Sequence, residues 1–212
     1  MGEEFRSKRC NRCYRPRPGC LCSLIPEVSS RTRLLVIQHP SERQHALNTA
    51  RLLVAGLSNA QLHVLERIEP GSEVYQQLGD PAYETCLLFP GPDAVTLSGF
   101  TALRPRQVVL LDGTWRKARK LLHLNPVLRA LPQVALPSGY VSRYRLRKVP
   151  AAGALSTIEA GVAALELIEP GPDYKALLGP FDALIEAQIQ AMGVERYQRN
   201  YQQNYQGDLE RD

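Results

Sequence analysis

Residues 110–120 read Leu-Leu-Asp-Gly-Thr-Trp-Arg-Lys-Ala-Arg-Lys. An apolar run stops at an acid and a glycine, and helical spacing begins almost at once. The segment therefore reads as a strand, Gln107 to Leu111, feeding a helix, Trp115 to Leu122, with no linker between them. A strand that opens directly into a helix is the unit of α/β sheets, whose ligands bind outside the carboxyl ends of the strands. Asp112, Thr114 and the chain's one tryptophan, Trp115, then stand at the natural pocket of such a fold.

The remaining patterns repeat that alternation. Arg33 to Gln38 is a buried-strand pattern, and Glu42 to Leu57 has helical spacing with Ser41 as its N-cap. Gln61 to Glu66 reads as a strand, followed by a polar loop rich in Gly and Pro. Thr85 to Phe89 and Gln133 to Leu136 read as further strands, and Ser156 to Ile168 and Tyr174 to Met192 as closing helices. The fold class expected is α/β, a mainly parallel sheet with helices on both faces. Residues 31–194 form the main domain, residues 1–30 a cysteine-bearing segment, and 195–212 a polar tail without a core pattern. The longest apolar stretches are about ten residues, against roughly 18 to 20 for a membrane span. The amino terminus, with Glu3, Glu4, Arg6 and Lys8, has no apolar secretory core, so a cytoplasmic protein is expected.

Four of the five cysteines lie close together, as Cys10-x-x-Cys13 and Cys20-x-Cys22. Two close pairs on a short loop suit a structural zinc ion; an iron–sulfur cluster or reduced thiols are the alternatives. A disulfide pair suits a reducing compartment poorly. Cys86 sits inside an apolar strand and reads as a small core residue.

The net charge of +5 is modest, but the cations are clustered. Arg12, Arg15 and Arg17 lie in the first cluster, Arg116, Lys117, Arg119 and Lys120 in the second, and Arg143, Arg145, Arg147 and Lys148 in the third. Such clusters suit a phosphate-bearing partner, although a solvated basic face gives the same composition.

The turn Asp112-Gly113-Thr114-Trp115 resembles the D-x-T-W signature of the DTW-domain proteins. Further blocks are similar in order and spacing: His39-Pro40 with Glu42, Asn48-Thr49, Leu88 to Gly91, and Leu155 to Ala160. Together they span roughly residues 10 to 165. The resemblance implies a fold similar to the knotted SPOUT methyltransferases, with a trefoil knot in the carboxyl half. It also implies tRNA-uridine aminocarboxypropyl transfer from S-adenosylmethionine, as in bacterial members, to N3 of a uridine, by similarity in the variable loop. tRNA is then the partner; neither a membrane nor an obligate protein partner is suggested.

S-adenosylmethionine needs an apolar slot for its adenine, donors for its carboxylate and no unpaired cation against its sulfonium. Leu88, Phe89, Pro90 and Gly91 after one strand, Asp112, Gly113 and Trp115 after the next, and Leu136 and Pro137 after a third meet those needs. Leu155, Ser156, Thr157 and Glu159 join them, the helix start offering N–H groups to a carboxylate. Asp112, Thr114 and Trp115 are the catalytic candidates, with Asp112 as the base. Arg12, Arg15, Arg17, His39, Arg116, Lys117, Lys120, Arg145 and Arg147 are the RNA-binding candidates. Structural readings stand beside these: Asp112 and Thr114 as helix caps, Trp115 as core, Glu159 as the acid of a capping box, His39 as a turn residue. A SPOUT-like RNA methyltransferase and a non-catalytic zinc-knuckle RNA-binding protein are the competing functions.

Overall fold

The computed structural model describes residues 9–99, 104–146 and 154–202. Six strands form one parallel sheet: β1 Arg33–Gln38, β2 Ala60–Val64, β3 Glu84–Leu88, β4 Val95–Thr96, β5 Arg106–Asp112 and β6 Gln133–Ala135. Their order across the sheet is β2-β1-β5-β3-β6-β4. Central parallel strands are covered on both faces, so β1 and β5 are nearly continuous in apolar residues. Leu34, Val36, Val108 and Leu110 face one layer, made by α1 (Thr49–Gly56), α5 (Thr157–Ile168) and α6 (Gly179–Met192). Leu35, Ile37, Leu87 and Val109 face the other, made by α2 (Glu73–Leu78), α3 (Trp115–Leu124) and α4 (Pro126–Arg129). Helices thus cover both faces, and Cys86 is fully buried in the first layer.

Local chemistry moves several boundaries. The helix expected from Glu42 is a single 3-10 turn, Pro40–Glu42, and α1 starts only at Thr49. Asn48 caps α1 by accepting from the Arg51 N–H at 3.2 Å. A short amide side chain bonded to the backbone favours a helix start over an interior. Within the loop rich in Gly and Pro, α2 forms around Val74 and Leu78, which share a face behind the N-cap Ser72. The closing helix breaks at Gly179-Pro180, where a 3-10 turn, Tyr174–Leu178, ends and proline starts α6. The polar tail departs most from its reading: α7 (Val194–Tyr197) buries Tyr197, whose ring stacks on Tyr201 at 5.9 Å.

Gly161 sets the seat of α5. A methyl group there would meet Leu53 Cδ2 at 2.6 Å and Leu110 Cδ1 at 3.3 Å. Only glycine, which has no Cβ, lets this helix lie so close to α1 and the sheet. The cysteine segment belongs to the same body. Cys13, Leu21 and Ile25 are buried in the core that contains Leu52 and Leu184, and Val28 bridges to Leu57.

Glu169, just past α5, ties that segment to β1. Its carboxylate accepts from the N–H groups of Arg31 and Thr32 and the hydroxyls of Ser30 and Thr32, all at 3.0 to 3.2 Å. Burial acts to raise its pKa, but these donors prevail and hold it below the ordinary carboxylate value. A depressed folded-state pKa means stability that is full above the unfolded pKa and lost as pH falls through the folded one. Glu169→Gln should cost about 1–3 kcal/mol in urea unfolding at neutral pH. The gap from wild type should close progressively below the ordinary carboxylate range; a pH-independent gap would show that charge at this position is immaterial.

Candidate active site at the strand ends

Because every strand is parallel, the carboxyl ends meet at one edge, and β5, at the centre, delivers Asp112 there. Asp112 is 8% exposed. Its Oδ2 accepts from Gln38 Nε2 at 2.7 Å, and Oδ1 accepts from the Thr157 hydroxyl in a short hydrogen bond. Gln38 is Asp112's register partner on β1, and Thr157 is the first residue of α5. One carboxylate thus joins two strands and a helix start. Among the described residues the buried Gln38 Oε1 has no hydrogen-bond partner, an amide oxygen left over at the site.

A ring of ion pairs borders this edge. His39 Nδ1 accepts from the Ser41 N–H at 3.3 Å, and Nε2 lies 3.0 Å from Glu66 Oε1. With its lone pair on Nδ1, the ring carries its proton on Nε2 and donates to the Glu66 carboxylate. Lys120 Nζ approaches the same oxygen at 2.5 Å, and Lys117 Nζ meets Glu42 Oε1 at 2.6 Å. Hydrogen bonds first from Lys120 and then from His39 hold the Glu66 carboxyl below its usual range. Buried Asn125 positions Glu66 from behind, donating to its carbonyl at 3.0 Å while accepting from the Ile68 N–H at 2.7 Å.

At the same edge, Phe89, which packs against the second layer, and Trp115 meet with ring centroids 5.8 Å apart. Their edge-to-face arrangement is one that aromatic pairs prefer. Both are partly exposed, as are Leu136 and Pro137 after β6. Thr114 is the N-cap of α3, its hydroxyl accepting from the Lys117 N–H at 3.4 Å. Gly113 has φ 153°, and a Cβ there would stand 3.0 Å from Lys117 Cβ. Glycine is therefore needed to turn the chain from buried acid to capping threonine.

The cysteine sulfurs converge at a second place. Those of Cys10, Cys13, Cys20 and Cys22 all lie within 4.8 Å of one another, with Cys10 to Cys22 at 3.5 Å and Cys13 to Cys20 at 3.7 Å. Four thiolates at about 2.3 Å from a tetrahedral zinc stand about 3.8 Å apart, so the donor set fits that ion. A disulfide needs an S–S distance of about 2.05 Å. All five cysteines are free. N–H groups of Cys13 and Arg12 lower the Cys10 thiol to about 6, whereas burial pushes Cys22 up to about 12.

The DTW domain matches residues 7–189. The chain belongs to the DTW-domain family. It is similar to "tRNA-uridine aminocarboxypropyltransferase 2" of Macaca fascicularis, 33% identical over 199 residues, 87% of this chain and 65% of that protein. The Drosophila melanogaster protein of the same name is 31% identical over 92% of this chain and 80% of its own length. "tRNA-uridine aminocarboxypropyltransferase A" of Arabidopsis thaliana is 30% identical over 78% of this chain and 74% of that protein. The chain spans about two thirds of the macaque relative's length, 65%. No solved structure matches it.

In this DTW protein the signature residues take different parts: Asp112 is the buried carboxylate, Gly113 the turn, Thr114 the exposed cap and Trp115 the aromatic wall. Leu88 packs against the core, and Pro90 and Gly91 are exposed beyond Phe89. Glu159 is turned inward from the ligand positions expected of it. It accepts from Ser156 N–H and hydroxyl at 2.8 and 2.7 Å, Ser142 hydroxyl at 2.9 Å and Arg143 N–H at 2.6 Å. The same acid thus completes a capping box and clamps a loop. Ser156 is buried with it, while Leu155 is partly exposed.

The RNA-binding candidates divide likewise. His39, Lys117 and Lys120 are engaged with Glu66 and Glu42, and Arg145 pairs with Glu186 of α6 at 2.8 Å. Arg116 is exposed on α3, as is Arg119. Arg12 donates to the Ala55 carbonyl at 2.9 Å and Arg15 to that of Ala46 at 3.2 Å; Arg12 and Arg17 are exposed and Arg15 is partly exposed. Arg147 lies outside the described residues.

Gln38 and Glu66 were not singled out in the sequence. A glutamine ending the otherwise apolar Leu34-Leu35-Val36-Ile37 run was the available signal for the first. Two carboxylates cannot share this buried position. Gln38→Glu should destabilise the protein by more than about 2 kcal/mol in urea unfolding near pH 7. Adding Asp112→Asn should recover most of the loss by exchanging the acid and amide. Equal stability of Gln38→Glu and wild type would show that the two side chains are not coupled.

Proposed function

We propose that the chain is a tRNA-uridine aminocarboxypropyltransferase, moving the 3-amino-3-carboxypropyl group of S-adenosylmethionine to N3 of a variable-loop uridine and releasing methylthioadenosine. The observation that carries the reading is the buried Asp112 carboxylate at the carboxyl end of β5, at the same sheet edge as the Phe89–Trp115 pair that follows β3 and β5. The names of the macaque, fly and Arabidopsis relatives support it. Such an enzyme works where tRNA is found, in the cytoplasm.

The donor supplies an electrophilic carbon beside a sulfonium; the chain's residues have to orient it and handle a proton. Phe89 to Gly91, Gly113, Trp115, Leu136, Pro137 and Leu155 line the apolar side. Lys117 and Lys120 are neutralised by Glu42 and Glu66, which suits a cationic ligand. The N3 imide is weakly acidic, and Asp112 takes its proton as the N–C bond forms and the C–S bond breaks. Gln38 and Thr157, donating to the carboxylate, hold Asp112 in place and aim it. Aiming the donor's γ-carbon rather than its methyl at N3 decides which group moves.

The SPOUT-like trefoil belongs to the same reading. Its support is the path after β6: β6 lies beyond β3, yet α5 returns to begin against Asp112 on β5. That return includes residues 147–153, outside the described residues. We assign zinc to Cys10, Cys13, Cys20 and Cys22, and RNA contacts to Arg116 on α3 and to Arg12, Arg15 and Arg17 beside the sulfurs.

Single-turnover reactions with unmodified tRNA, read by nucleoside mass spectrometry, test the function. The expected products are aminocarboxypropyl-uridine and methylthioadenosine. Asp112→Asn should lower the rate by about 10² to 10⁴ with donor binding retained. S-adenosylhomocysteine as product would assign a methyltransferase, and an unchanged rate in the variant would remove Asp112 as base. For the metal, elemental analysis should find one zinc per chain. Cys13 shares the core with Leu52. Cys13→Ser should therefore lose the ion and melt at least about 5 °C lower. Full stability in the metal-free variant would dismiss a structural zinc.

A further inference from the structure

Away from the strand ends, the cysteine segment, the 43–52 stretch and α6 enclose a cavity of about 190 Å³. Arg9, Arg15, Arg43 and Arg51 line it, together with Tyr14 and Asn48. A second, open groove of about 720 Å³ shares Arg43 and Arg51, adds Arg12, and runs along α1 to β2. Among the described residues no carboxylate pairs with Arg43 or Arg51, whereas Lys117, Lys120, Arg143 and Arg145 each have one.

Arg51 is the most telling. Its guanidinium carbon lies 4.5 Å from the Tyr14 ring centroid, and its buried Nε has no hydrogen-bond partner among the described residues. The ring face attracts the cation and fixes its position. Tyr14 holds its own place in the left-handed region, φ 60°, within the cysteine turn. Burial lowers the Arg51 pKa, Tyr14 opposes this, and the Arg43 cation lowers it further. Like charges have thus been gathered, Arg51 partly desolvated, with neither Arg43 nor Arg51 ion-paired among the described residues, an arrangement that costs stability until an anion enters. Guanidinium groups match phosphate oxygens in geometry, and an aromatic platform beside them suits nucleic acid.

We propose that Arg43 and Arg51, oriented by Tyr14, form a binding site for the phosphodiester backbone of RNA, separate from the strand-end site. The proposal rests on the tRNA reading and deepens it. Segment 39–48 links the two places: His39 and Glu42 belong to the ion-pair ring, and Arg43 follows directly. RNA held at the arginine cavity would be tethered next to the edge where the uridine reacts.

The test is equilibrium binding of unmodified tRNA to the full chain across a series of salt concentrations. Arg43→Gln and Arg51→Gln should each flatten the slope of log affinity against log salt by about 0.7 to 0.9 for every phosphate no longer neutralised. Arg51→Lys, which keeps the charge, should retain more of the slope than Arg51→Gln. Thermal melting checks the fold. Arg43 is exposed, so Arg43→Gln decides the matter alone if Arg51→Gln fails to fold. Wild-type slopes in Arg43→Gln, with tRNA bound normally by the parent protein, would overturn this site and leave the enzyme reading standing. Absence of tRNA binding by the parent protein would overturn both.

Discussion

A carboxylate can enter a protein interior only where donors replace the water it gives up. Asp112 meets that demand with Gln38 from β1 and Thr157 from α5. Each donor requires a larger feature of the fold. Gln38 requires β1 and β5 to pair in parallel at a register that sets it opposite Asp112. Thr157 requires α5 to begin at the strand ends, which in turn requires the close seat that Gly161 allows. Glu169 at the far end of α5 and Glu159 in its first turn fasten the same helix to the β1 approach and to loop 142–143. One buried acid therefore depends on the central pair of strands and the helix laid over them.

Charge is sorted by the same packing. Positive residues next to the strand ends are matched by Glu42 and Glu66, and those of segment 143–145 by Asp182 and Glu186. The exposed pairs among these add little to stability. Their effect here is to remove unpaired cations from an edge whose ligand would itself be cationic. Arg116 and Arg119 remain exposed on α3, and among the described residues neither Arg43 nor Arg51, near the cysteine segment, is ion-paired. Under the proposed function, an edge without unpaired lysines and positive flanks suit a small cation and a large polyanion bound side by side.

The core was legible because burial imposes period two on strands and a 3.6-residue period on helices. Every central strand was found within a residue or two, and both covered faces follow from the apolar character of β1 and β5. Short capped elements were harder to read. Two apolar residues suffice for α2 once Ser72 and the sheet hold it, and a polar segment becomes helical near Tyr197 because one ring finds a pocket. Neither event leaves a long periodic trace.

The sequence by itself determined that this is an α/β protein of the DTW family, that an acid stands at the end of an apolar strand, and that four thiols lie within reach of one another. Those features are carried by local spacing, which survives without knowledge of the partners. Tertiary structure decided which candidates work together. It made Thr114 a cap and Asp112 a linchpin, turned Glu159 inward, matched Lys117 with Glu42 across 75 positions, and left Arg43 and Arg51 unmatched. Hydrogen bonds and ion pairs depend on the approach of atoms distant in sequence, and that approach is set by strand order and helix seating.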